Sequence, residues 1–526
     1  MVQVPQDDLE NFQRLGGDVR LFRSAPILDG LAHCCSTELC LSEVDIPSKY
    51  PYHPLPNHTS FIDKMNPASM VPAEVLGKIF HLLCDDPIDV GPHMYGTKNN
   101  FPWAVGRVCR QWRCGFISYP PMWTSIRFSD VCVVIEDRGI EAARRVAMYL
   151  ERSRELPLDI GVSASFDVSV PAFRLFLACA HRWRTARIYI GKEELMDELF
   201  ACKGNVPILE SLDVCAPRLV TSYIGDDGDP IDHNHDIQVG EYDAFEIAPQ
   251  VHTIKLQCGD TIIGWALPWS QLTKLHVIMS TLFDVPALLQ ELRGVEELLF
   301  EFSGVENRIT ENLSLFDGFS VRLEHLRILQ VPFPMILSWI EAPLLQELRL
   351  GDPDNLFYPR LPHRMQLLSL IHRSGPSCQI RRLVLRGDDI VTVKHIISAL
   401  ADVEELHICT PESKAIFDRS TSKYVYRILS KLADLNNHLY LPTLRRIAIA
   451  FDPEGTHSAM VKTVSRLLKS RRVRQPPSTL PVAPLESVAI QMAASSLSEI
   501  QLPAELVEAR RNWPPFVEVG FKSRYY

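Results

Sequence analysis

His33, Cys34, Cys35 and Cys40 in HCCSTELC are zinc-ligand types within one short run, the first place in the chain where side chains could do metal chemistry. Adjacent Cys34 and Cys35 do not fit the spacing of structural zinc sites, so no metal is expected there. DDGDPIDHNHD (226–236) gathers five Asp and two His, but its glycine does not fall sixth in a D-x-D-x-D-G loop. That excludes an EF-hand and leaves a solvated acidic insertion. KSRRVRQPP (469–477) offers cations for an anion or nuclear-import patch, although a helix end whose cations complement the dipole ahead of a proline-rich link is the simpler reading. The chain contains no G-x-x-x-x-G-K-[ST], H-E-x-x-H, G-x-S-x-G or G-x-G-x-x-G, and no motif pairs a nucleophile with a base. Neither an enzyme nor a bound cofactor is expected.

Composition narrows the remaining classes. Of 526 residues, 46% are hydrophobic and 22% charged, which permits extensive burial and implies several domains or one elongated repeat array. A net charge of -10 argues against a nucleic-acid footprint over the whole molecule. Thirteen scattered cysteines, behind an N-terminal stretch with neither a basic start nor an apolar run, point to reduced thiols in cytoplasm or nucleus. No stretch approaches the roughly 18 consecutive apolar residues of a spanning helix, so no membrane partner is expected.

Two segments concentrate large apolar side chains. In SMVPAEVLGKIFHLLC (69–84), Pro72 suits a first helical turn, Glu74 suits the positive end of the dipole, and Val75, Leu76, Ile79, Phe80 and Leu83 form an apolar face. In WAVGRVCRQWRCGFISYPPMW (103–123), Ala104, Val108, Trp112 and Phe116 recur every four positions, before Tyr119, Pro120 and Pro121 end the helix. This stripe is core, a ligand box or a docking surface. The two prolines keep Trp123 off the face that carries Trp112, so Trp123 is expected to be buried against residues 131–190. Residues 48–61 and 85–100 read as loops.

The strongest signal is an internal repeat, apolar-x-x-apolar-x-apolar. It occurs as ILESLDV (208–214), VHTIKL (251–256), LTKLHV (272–277), VEELLF (295–300), LRILQV (326–331), LQELRL (345–350), IRRLVL (380–385), VEELHI (403–408), LRRIAI (444–449) and LESVAI (485–490). WRTARI (183–188) is a weaker first copy. Helical patterns at 135–156, 285–294, 393–402, 423–435 and 458–472 lie among these copies, and PLDIGVS (157–163) reads as a strand. Strand, then helix or loop, repeated along the chain is the pattern of a leucine-rich-repeat solenoid, here with uneven spacing.

Taken together, the chain resembles an F-box protein with C-terminal leucine-rich repeats, and is similar to the large F-box families of mushroom-forming fungi. VPAEVL (71–76), IF (79–80), VCRQW (108–112) and PPMW (120–123) follow the F-box order Leu-Pro-x-Glu-Ile-Leu, an apolar helix, Val-Cys-Arg-x-Trp and Pro-x-x-Trp, with Val71 in place of the usual Leu. ERSRELPLDIGV (151–162) and HRWRTARIYI (181–190) continue the likeness. It implies an α/β chain: a short all-helical F-box at 69–130, then an irregular solenoid of parallel strands with helices outside at 131–500. An extended segment (1–68) would precede these modules and a tail (501–526) follow them. It also implies the role of substrate-recognition subunit in a Skp/cullin/F-box E3 ubiquitin ligase. A Skp adaptor, itself attached to a cullin and a RING subunit, would dock on Pro72, Leu76, Ile79, Phe80, Leu83, Val108 and Trp112. The alternative is that these residues are core, and that the chain is a repeat scaffold without ligase function. On the repeat strands, positions flanking the second apolar residue point away from the core. This gives Lys255, Lys274, His276, Glu347, Arg349, Arg382, Glu405, His407 and Arg446 as contacts for a protein substrate that the sequence does not identify.

Overall fold

The computed structural model describes residues 71–83, 88–89, 105–130, 136–191, 194–216, 242–258, 318–351, 363–386, 441–451, 487–494 and 517–523, with most of 262–302 and 400–409 and isolated positions elsewhere. The two candidate metal runs at 33–40 and 226–236, the basic run at 469–477 and the expected helix at 393–402 lie outside these residues, as does most of the helical pattern at 423–435 and 458–472.

Three letters of the repeat motif become three rows of core. Leu209, Val251, Leu272, Val295, Leu326, Leu345, Ile380, Val403 and Leu444 are the first letter of successive copies, and all are buried. The second and third letters, as in Leu298 and Phe300, are buried likewise where described, whereas most residues between them are not, giving the alternating pattern of Glu297–Phe302; Gln330 and Val384 are buried exceptions. Burying one such side chain contributes about 1.5 to 3 kcal/mol, and no single copy offers enough neighbours to do it alone.

The strands that result run in chain order: β1 Ile88–Asp89, β2 Ser125–Ser129, β3 Leu158–Ala164, β4 Trp183–Ile190, β5 Ser211–Cys215, β6 Thr253–Gln257, β7 Lys274–Met279, β8 Glu297–Phe302, β9 Val321–Arg322, β10 Ile328–Val331, β11 Ile340–Glu341, β12 Glu347–Leu350, β13 Arg382–Arg386, β14 Glu405–Cys409, β15 Arg446–Phe451, β16 Ser487–Ala494 and β17 Val517–Ser523. Fifteen of them form one parallel sheet in which spatial order follows sequence order, while β9 and β11 pair separately. The molecule is α/β, and every copy of the motif supplies one strand. The uneven spacing is absorbed by the connections. The long step from β12 to β13 carries a helix, His363–Ser374, whose Ser374 hydroxyl accepts from the Ala342 amide at 2.8 Å.

The sheet extends beyond both expected limits. β1 and β2 lie inside 69–130, and β17 lies inside the expected tail, in register with β16 from Val488↔Val517 to Ala494↔Ser523. Ile126 and Phe128 alternate inward along β2 and join the same core, which is why five residues after the PPMW turn continue the sheet rather than close a separate helical unit.

Among the described residues, the helices before β2 are α1 Ala73–Leu82, α2 Val105–Val108 and α3 Arg110–Ser118, followed by a 3-10 turn Pro120–Trp123. The single stripe expected through Val108, Trp112 and Phe116 is not formed. Cys109 is extended (φ -158°, ψ 170°), and its Sγ accepts from the Trp112 amide at 3.4 Å, so a helix boundary falls in mid-stripe. Arg113 Nε then donates to the Gly106 carbonyl at 2.8 Å and ties the two short helices together. After β2, helix α4 Glu136–Arg152 and helix α5 Val170–Ala178 flank β3.

Candidate functional site

Helix α1 divides into three arcs, because successive side chains are about 100° apart. Leu76, Gly77 and Phe80 face inward. Phe80 meets the Trp112 ring at 5.2 Å, and Gln111 Nε2 donates to the Val71 carbonyl at 3.1 Å, which seats α3 on this arc. Glu74, Lys78 and His81 form a polar arc. Between the two lies an apolar arc of Pro72, Val75, Ile79, Leu82 and Leu83, all exposed. Leu82 is 78% exposed and Leu83 63%, and Val108 at the end of α2 is 60% exposed. These side chains lie together on one small unit rather than scattered over the surface, which makes the arc a candidate interaction surface.

Behind this surface, Trp123 is fully buried. It stacks on Tyr149 of α4 at 5.2 Å and 21°, packs against Phe116 at 4.7 Å, and carries the Arg152 guanidinium 4.6 Å above its ring. Burial pushes the Tyr149 phenol up and lowers Arg152. The expectation that Trp123 packs against residues 131–190 therefore holds. The helices are fixed to the sheet's first strands through aromatic contacts and a cation–π contact worth about 0.5 to 2 kcal/mol.

The sheet's second candidate surface is its polar face. There the charges pair laterally. Lys274 meets Glu297 at 3.4 Å and His276 meets Glu301 at 3.2 Å, while Gln330 Nε2 donates to Glu301 at 3.0 Å. Further along, Glu347 accepts from Arg349 Nε at 2.6 Å and from an Arg382 Nη at 3.2 Å. Arg382 also lies 3.6 Å from Glu405, which His407 approaches at 3.1 Å.

Compared with known proteins, the chain matches no family model and no curated protein.

Of the residues expected to dock an adaptor, the structure exposes Pro72, Ile79, Leu83 and Val108 and half-buries Trp112. Leu76 and Phe80 are core, 4% and 2% exposed, because the covered arc of α1 is the one that meets α3. They are corrected from contact residues to supports. Val75 and Leu82 belong to the exposed arc and were missed, since an amphipathic pattern shows where apolar residues lie but not which part of the arc a neighbour covers. Of the expected substrate contacts, Lys255, Lys274, His276, Arg349, Arg382, Glu405, His407 and Arg446 lie on the polar face with partial or full exposure. Glu347 is 8% exposed and occupied by two arginines, so it is corrected to a structural carboxylate that holds them.

Burial pushes the Cys202 thiol up to about 12, and burial together with the Asp213 carboxylate pushes Cys215 up to about 11, so neither is an activated nucleophile at neutral pH. Among the described residues, no group of three or more His, Cys, Asp or Glu is placed to hold a metal, and no helix is long and apolar enough to cross a membrane.

Proposed function

We propose that the chain is a substrate-recognition subunit of a Skp/cullin/F-box E3 ubiquitin ligase. In this reading a Skp adaptor covers the apolar arc of α1 with Val108, and the adaptor brings the cullin and RING subunits. The polar face of the sheet holds the protein to be modified. The chain catalyses nothing: it fixes the distance and angle between two partners, and the buried Trp123 junction serves that end by joining the docking helices to the first strands.

The observation that carries this reading is the exposed arc Val75, Ile79, Leu82 and Leu83 beside Val108, within a segment whose F-box-like residues the sequence already marks. Covering this arc removes large apolar side chains from water, and a charge placed at its centre opposes that burial. The test is titration of the full chain with a purified Skp adaptor. Leu82→Asp and Val108→Asp are expected to weaken binding by at least about 2 kcal/mol each. Leu344→Asp, at an exposed leucine elsewhere, is expected to leave it unchanged. All three positions are exposed, so loss of fold does not confound the comparison. Absence of binding at micromolar concentration, or equal binding by the Asp variants at Leu82 and Val108, contradicts the reading.

A second reading, a leucine-rich-repeat scaffold without ligase function, draws on a different observation. The buried cluster of Phe116, Trp123 and Tyr149 alone gives the N-terminal helices a structural purpose, as a cover for the first end of the sheet's core.

A further inference from the structure

The two ends of the polar face treat their arginines differently. On β12 and β13, Arg349 and Arg382 are held by Glu347. On β2 and β4, Arg127 and Arg187 are exposed, and among the described residues neither side chain has a hydrogen bond or ion pair. They sit on one register row with Gly161 between them: Arg127↔Gly161 across β2 and β3, Gly161↔Arg187 across β3 and β4. Neighbouring strands are about 4.8 Å apart, so the arginines stand about 10 Å apart over a position that has no side chain. A Cβ on Gly161 would lie 3.6 Å from Arg127 Cγ, which makes the arginine stem one wall of the notch.

Each arginine has an acidic neighbour on its own row, Asp89 of β1 beside Arg127 and Asp213 of β5 beside Arg187, yet neither guanidinium is paired among the described residues. The nearest carboxylate on the adjacent row, Asp159, already accepts from Arg184 at 3.1 and 2.5 Å and from the Thr185 hydroxyl at 3.0 Å. On the other adjacent row stand Ser129, Ser163 and Tyr189, and Tyr189 is exposed. The arginine row continues through Asp213 to Lys255.

We infer that this notch engages a carboxylate-rich segment of a protein partner, each guanidinium taking one carboxylate. Guanidinium and carboxylate match in planar, bidentate geometry. A phosphate backbone fits less well: it needs many cations in succession, whereas this row is bounded by Asp89 and interrupted by Asp213 on a chain of net charge -10. The inference rests on the reading of the polar face as a partner-holding surface and not on adaptor docking.

The test uses the full chain and a fluorescein-labelled dodecapeptide of alternating Glu and Gly, followed by anisotropy at about 50 mM salt, where screening is weak. The Glu peptide is expected to bind and its Gln counterpart not. Arg127→Gln and Arg187→Gln are each expected to weaken binding about tenfold, equivalent to about 1.4 kcal/mol. Arg381→Gln, an exposed arginine off this row, is expected to leave it unchanged, and adaptor binding should be unaltered in all three variants. The inference is overturned if the Glu peptide does not bind, if the row variants bind as the parent does, or if Arg381→Gln costs as much. Tighter binding of an oligothymidine with the same arginine dependence would overturn it in favour of a phosphate ligand.

Discussion

Trp123 occupies the point where the N-terminal helices meet the sheet, touching Phe116 on one side and Tyr149 and Arg152 on the other. Trp123→Ala is expected to destabilise the fold by about 3 to 5 kcal/mol, read from urea denaturation, and Trp123→Phe by less because the aromatic stack on Tyr149 survives. Equal stability of Trp123→Ala and the parent would show that the junction is not held there. This burial was legible in the sequence, because two prolines between Trp112 and Trp123 break the helical period. The role of Cys109 was not. A thiol is an uncommon helix cap, and nothing in the spacing Val108, Trp112, Phe116 discloses that residue 109 is extended.

At the scale of elements, α1 lies close on Tyr119 because position 77 has no side chain. A Cβ on Gly77 would fall 2.4 Å from Tyr119 Cγ. Gly77→Ala should therefore push α1 from α3 at a cost of about 1 to 3 kcal/mol, despite the better helix propensity of alanine. Earlier loss of helical signal than of sheet signal on heating would report it, whereas a stabilised variant would contradict the packing. Strands that follow the three-letter motif were legible, since each letter reports one buried row, with β2 the exception. β2 carries the same spacing in Trp123, Ile126 and Phe128 but follows directly on the stretch read as helical, whereas in β17, also missed, the letter that should lead Val517 and Val519 is Pro514. The sharing-out of α1 among three arcs was beyond the sequence for a different reason. Leu76 and Leu83 are equally apolar, and only the position of α3 decides that one is core and the other exposed.

For the whole molecule, sequential parallel strands mean that each unit leans on its neighbours, and the sheet carries the N-terminal helices at one end of that stack. Its polar face is neutralised pair by pair from β7 to β14, while the arginines unpaired among the described residues lie on β2 and β4, near the N-terminal helices. A partner held at that end would sit close to whatever covers α1, which is the geometry the proposed function requires. Amide hydrogen exchange of the full chain, with and without a Skp adaptor, tests this directly. New protection should appear in residues 72–83 and around Val108, with β12 to β15 unchanged. Absence of protection in 72–83, or protection confined to the sheet, would contradict it.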